Sequence, residues 1–122
     1  MIEIELPWPP PELNKNDTNT HRMQKARIIK DAREIAYYET LSRRFGDDWY
    51  LWEKINATYT FHPPDRRRRD LMNILLACAA YQDGIFDASD TNDFRIKRTV
   101  LEWGEVQKPG KVVVRLEELS NV

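Results

Sequence analysis

Four consecutive arginines, Arg66, Arg67, Arg68 and Arg69, stand between an alternating strand-like segment and an apolar helix-like one. No small domain can bury such a run, because each guanidinium stays charged and has to be paired or solvated. The chain must therefore surface at this point. It leaves a strand at His62-Pro63-Pro64, shows a cationic turn to solvent and re-enters the core through Leu71 and the residues after it. Asp70 closes the run where a helix would start. Two readings of this turn stand side by side. It can be a solvated connector whose Asp70 caps the helix. It can also be a phosphate-gripping surface beside a metal-binding carboxylate, since the planar fork of arginine matches phosphate.

The flanking segments set the fold class. Ile2, Ile4 and Leu6 alternate with Glu3 and Glu5, and Pro7 to Pro11 halts that strand. Residues 22–44 read as a helix with Ile28, Ala32, Ile35 and Ala36 on one face, stopped by Gly46. Its first half carries Arg22, Lys25, Arg27, Lys30 and Arg33, either a solvated face or a second phosphate-contacting surface. Ile55, Ala57, Tyr59 and Phe61 give the clearest strand. A helix apolar nearly all round, and so central, is expected over residues 70–81, ended by Asp83-Gly84. After an acidic loop, residues 94–103 and the Val112, Val114, Leu116 segment read as a C-terminal hairpin joined at Lys108-Pro109-Gly110. The order β-α-β-α-β-β predicts an α/β fold, a small mixed sheet with helices, in a single domain over residues 1–122.

Composition narrows the function classes. Charged residues make up 32% of the chain, yet the net charge is only −1, so nucleic-acid binding would need a local basic face. No stretch is long and apolar enough for a membrane span, and the start shows no signal-peptide core, so a cytoplasmic chain is expected. The lone Cys78, within an apolar run, reads as a small buried hydrophobe. Trp49, Tyr50, Leu51 and Trp52, beside Asp47 and Asp48, read as core or as a subunit contact. Trp8 reads as a plug over the sheet or as a base-stacking wedge, and His62 as a surface residue at a strand end.

The segment Pro64-Asp65-Arg66-Arg67-Arg68-Arg69-Asp70-Leu71-Met72-Asn73 resembles the signature of the RusA family of phage-type Holliday junction resolvases. Leu6-Pro7-Trp8-Pro9-Pro10, followed by Leu13-Asn14, matches in the same order. So, more weakly, do Gly84-Ile85-Phe86 with its acidic turn and the C-terminal strands. The resemblance implies a RusA-like fold and a homodimer that acts on four-way DNA junctions in recombination and repair. It also implies Mg²⁺-dependent endonuclease chemistry, in a bacterial or phage-infected cytoplasm.

Carried over residue by residue, only Asp70 takes a catalytic and metal-binding position of the family; a rebuilt site would add Asp87 and Asp90, with Asp65 and Asp93 as alternatives. The DNA contacts would be Arg66, Arg67, Arg68 and Arg69 of the motif, with Lys25 added from the basic first half of the helix rather than from the resemblance. The chain departs from the pattern at three places: Met72 stands where the family has a second Asp, Leu76 where it has a helical lysine, and Ala88 at the later acid. A thioether is a poor ligand for a hard cation. The expectation is therefore a junction protein whose cutting is reduced or lost. The alternatives are an endonuclease with a rebuilt site, a non-catalytic structure-selective DNA binder, or an interaction module that meets an acidic protein partner.

Overall fold

The computed structural model describes residues 1–43, 49–89 and 92–120. Gly46, Asp47, Asp48 and Asp90 lie outside the described residues. The elements are β1 (Ile2–Pro7), α1 (Arg22–Ser42), β2 (Ile55–His62), α2 (Leu71–Ala77), α3 (Ala79–Asp87), β3 (Ile96–Trp103) and β4 (Lys111–Glu118). Short 3-10 turns lie at Pro11–Leu13, Trp49–Leu51 and Asp93–Arg95. The expected α/β class and mixed sheet are present. The four strands run in the order β1-β4-β2-β3, with β2 and β3 parallel and the other pairs antiparallel.

One face of this sheet makes the core. Ile2, Ile4 and Leu6 of β1, Tyr59 and Phe61 of β2, and Val112, Val114 and Leu116 of β4 are buried in one cluster with α1 and α3 residues. The period-2 alternation seen in the sequence sends the intervening side chains to the opposite face. There Glu3 pairs with Arg115 at 3.2 Å and Glu5 with Lys111 at 3.3 Å, while Thr60 donates to Glu102 at 2.9 Å.

The expected C-terminal hairpin is not formed. β3 and β4 are not neighbours, because β2 lies between them. The strand–helix–strand passage from β2 to β3 is a crossover and makes that pair parallel. The connection over residues 104–110 then passes across the end of β2. Gly104 N–H donates to Phe61 O at 2.8 Å and Gln107 N–H to Pro63 O at 2.9 Å. His62 Nδ1 meets Glu105 O at 2.9 Å. Polarity explains the placement. β4 buries Val112, Val114 and Leu116 and takes an interior position, whereas β3 exposes Lys97, Arg98, Thr99 and Glu102 and suits an edge.

The second helical region also departs from expectation. It is two helices meeting at Cys78, and the second runs on through Asp83 and Gly84 to Asp87. Gly84 does not end a helix; it lets two helices touch. A Cβ there would lie 2.1 Å from the carbonyl oxygen of Arg33 and 2.9 Å from Ala36 Cβ. α1 answers with a narrow face of small residues, Ala32, Ala36 and Thr40, all buried. Ile35, expected on that face, is turned out and 42% exposed, since it sits about 100° around the helix from Ala36. Nor is α2 apolar in its surroundings all round. Met72 and Leu76, one turn apart, are 57% and 54% exposed.

Cys78, Trp49 and Trp52 follow the sequence reading, whereas Leu51 is exposed. Cys78 is buried, and burial pushes its thiol up to about 12, so no thiolate forms near neutral pH. Trp49 is fully buried and meets Phe86 edge-on with ring centres 5.5 Å apart, while Trp52 is partly buried against the same core. No helix among the described residues is long and apolar enough to cross a membrane.

Candidate nucleic-acid interface

The turn after β2 is organised by Asp65. Proline before an acid favours a side-chain-closed turn, and the Asp65 carboxylate accepts the Arg67 backbone N–H at 2.9 Å. It also meets the Arg69 guanidinium at 2.9 Å. The Arg67 backbone N–H, followed by Arg69, holds the Asp65 carboxyl below its ordinary range, so it stays ionised. Arg69 donates further to the carbonyls of Asp65 and Arg67 at 3.2 and 3.1 Å. Its guanidinium lies over the Trp8 ring, 5.4 Å from the centroid.

Trp8 is part of the opposite wall. It is half-buried against the core, as the plug reading expected. Two contacts seat the segment that carries it. Tyr81 of α3 donates its hydroxyl to Pro7 O at 2.9 Å. Gly110, at a φ of +95°, lets the chain pass so close that a Cβ would stand 2.9 Å from Trp8 Cβ. Between this wall and the arginine turn lies a cleft of about 820 Å³. Pro9, Pro10, Pro11 and Asn14 line one side; Arg67, Arg68, Asp70 and Asn73 line the other. Arg66, Arg67 and Arg68 are exposed, and neither Arg66 nor Arg68 pairs with a described acid. Within residues 65–70, four guanidiniums face only two carboxylates, and the surplus is positive. This is the local basic face that an overall charge of −1 did not reveal.

The acids expected to bind metal are not gathered at this cleft. Asp70 lines it, but as the N-cap of α2: one carboxylate oxygen accepts Met72 N–H at 2.8 Å and Asn73 N–H at 3.3 Å. Asp87 ends α3 and does not line the cleft. Its carboxylate is gripped by Arg33 of α1 through Nε at 2.5 Å and Nη2 at 2.8 Å. Asp93 accepts from Gln82 at 3.3 Å, and Gln82 in turn accepts the hydroxyl of buried Tyr59 at 2.8 Å. Lys25 is tied to Asp17 at 3.4 Å and is not among the cleft residues. Asp90 is outside the described residues.

Mg²⁺ takes near-octahedral oxygen sets supplied by convergent carboxylates and water. Among the described residues no group of three acidic, histidine or cysteine side chains converges. Met72, two residues after Asp70 and exposed, offers a thioether and no side-chain oxygen. The described donors do not fit the cation.

The Arg33–Asp87 pair has its own consequence. Hydrogen bonds from Arg33, and then its charge, hold the Asp87 carboxyl below its ordinary value of 3.8. The stabilisation is therefore complete above that value and is lost as the pH falls through the lower folded value. Asp87→Asn is expected to lower the thermal midpoint slightly at neutral pH, the pair being half exposed. The gap from wild type should close as the pH drops below 3.8. A gap that persists unchanged in acid would mean the carboxylate charge is not what stabilises.

The Asp65–Arg69–Trp8 arrangement is absent from the sequence reading. Pro64-Asp65 signals the turn, but nothing local links residue 69 to residue 8.

No protein-family model matches the chain. An uncharacterized protein of Xylella fastidiosa (strain Temecula1) is 31% identical over 98% of this chain and 78% of its own length. The crossover junction endodeoxyribonuclease RusA of Escherichia coli K12 is 28% identical over 97% of this chain and 95% of its own length. The protein of the same description from Shigella sonnei has the same identity and coverage.

Proposed function

We propose, for a chain that is RusA-like at the level of the family, that the arginine-lined cleft binds branched DNA and that cleavage is lost or much reduced. The observation that carries this reading is the turn itself. Arg66, Arg67 and Arg68 stand exposed on a loop braced from within, beside a cleft. A four-way junction crowds phosphates from several strands into one place. A cationic rim that meets several of them selects for branching without reading bases. Reduced cleavage is supported by Met72, Leu76 and Ala88, by the capping duty of Asp70 and by the Arg33 grip on Asp87. A place in recombination belongs to the same reading, through the relatives' printed crossover-junction activity, and a homodimer and a role in repair belong to it only through the family resemblance.

The test is a synthetic four-way junction offered with and without Mg²⁺ or Mn²⁺. The expected result is a retarded complex that forms at lower protein concentration than with linear duplex, weakens steeply with salt and yields no nicked strand. Nicked product that disappears in Asp70→Asn would replace this reading with an endonuclease whose site includes Asp70. Absence of any complex at low salt would leave an acidic protein partner for the arginines. Sedimentation of the free protein decides the homodimer.

A further inference from the structure

The four consecutive arginines are not equivalent. The side chain of Arg67 is 81% exposed, and Arg66 and Arg68 are exposed too, whereas that of Arg69 is only 16% exposed. The contacts of Arg69 are directed inward. Nη1 donates to two carbonyls of its own turn, Nη2 meets the Asp65 carboxylate, and Cζ lies over the Trp8 ring, 5.4 Å from its centroid. A guanidinium has five donors in one rigid fork. With Nη1 and Nη2 turned onto backbone and Asp65, the guanidinium over an aromatic ring and the side chain largely buried, little of it is left for a phosphate.

We infer that Arg69 is a positioning residue and makes no phosphate contact of its own. Together with Asp65 and Trp8 it locks the turn so that Arg66, Arg67 and Arg68 are presented ready-ordered. Ordering a flexible loop at the moment of binding costs affinity, and a loop already held in place avoids that cost. Lysine cannot substitute at this position. It keeps the charge but has a single point of attachment, so it loses the fork and much of the stacking. The consequence for DNA rests on the binding reading above; the inward role of Arg69 does not.

Phenylglyoxal, which modifies accessible guanidiniums, separates these two levels when the sites are read by mass spectrometry. In the free protein Arg69 is expected to react roughly tenfold more slowly than Arg66 or Arg68. Trp8→Ala and Asp65→Asn should each speed Arg69 selectively. In junction binding, Arg69→Lys is expected to lose affinity and to show a shallower salt dependence although no charge is removed, because the three exposed arginines are no longer held together. Arg68→Lys should keep the wild-type slope. The inference is overturned if Arg69 reacts as fast as Arg68 in the free wild-type protein, or if Arg69→Lys binds with wild-type affinity and slope. Wild-type protein that binds no junction would defeat the DNA reading, while the reactivity pattern would still judge the turn.

Discussion

With Arg66, Arg67 and Arg68 all changed to alanine, the protein is expected to fold normally and to bind a four-way junction roughly a hundredfold more weakly. The estimate takes about 1 kcal/mol for each exposed guanidinium–phosphate contact, below the usual range for charge-assisted hydrogen bonds because these side chains are solvated and mobile. Folding is spared because the three side chains are exposed, and the closer Asp65–Arg67 bond, at 2.9 Å, uses the backbone N–H, while the guanidinium contact at 3.5 Å is a solvated one. Exposed substitutions of this kind usually change stability by less than about 0.5 kcal/mol.

Salt dependence is the sharper reading. Each phosphate neutralised contributes about 0.9 to the slope of log affinity against log salt, so losing three should flatten it by roughly 2.7. Gel shifts across a salt series measure both quantities. A triple variant with the wild-type slope would show that the turn touches no phosphate and that the basic surface lies elsewhere, the arginine- and lysine-bearing first half of α1 being the next place to look.

Why this turn was legible in the sequence, and its partners were not, is a matter of range. Charge and alternation are local signals. Ile2, Ile4 and Leu6, then Tyr59 and Phe61, then Val112, Val114 and Leu116 announce strands with one buried face because the period of two is written in adjacent residues. Four guanidiniums cannot be buried wherever they fall. The order of the strands is different. A hairpin between β3 and β4 is the simplest use of a short connection, yet β4 is the more apolar strand and sits inside the sheet. The difference appears only when burial is compared between strands distant in sequence.

The site follows the same division. Asp70 admitted two duties from its position alone, and the capping one is visible in the geometry through one of its two carboxylate oxygens. That Arg33 reaches Asp87, or that Arg69 lies over Trp8, depends on helix packing and loop closure that no window of neighbouring residues contains.

The strongest test of that packing is Gly84→Ala. In an exposed helix this change stabilises by about 1 kcal/mol, since alanine loses less backbone freedom on folding. Here the added methyl would stand 2.1 Å from a backbone carbonyl of α1 and 2.9 Å from Ala36 Cβ. Neither neighbour is the free end of a flexible chain, so the two helices must separate. Overpacking of this kind costs up to about 3 kcal/mol, and more where backbone has to move. The steric term therefore wins over the propensity gain, and a net loss of about 2 kcal/mol is expected. For a chain of 122 residues that corresponds to a fall of roughly 8 °C in the thermal midpoint. The separation should reach the site as well. Asp87 lies three residues beyond Gly84 on the same helix, and its partner Arg33 supplies the obstructing carbonyl, so spreading the helices lengthens the Arg33–Asp87 ion pair between α1 and the end of α3. Gly84→Ala should accordingly lose much of the acid-dependent difference that Asp87→Asn produces, and combining the two should cost less than their sum. A midpoint that rises instead would place Gly84 on an open helix face and overturn the close α1–α3 contact on which the position of Asp87 depends.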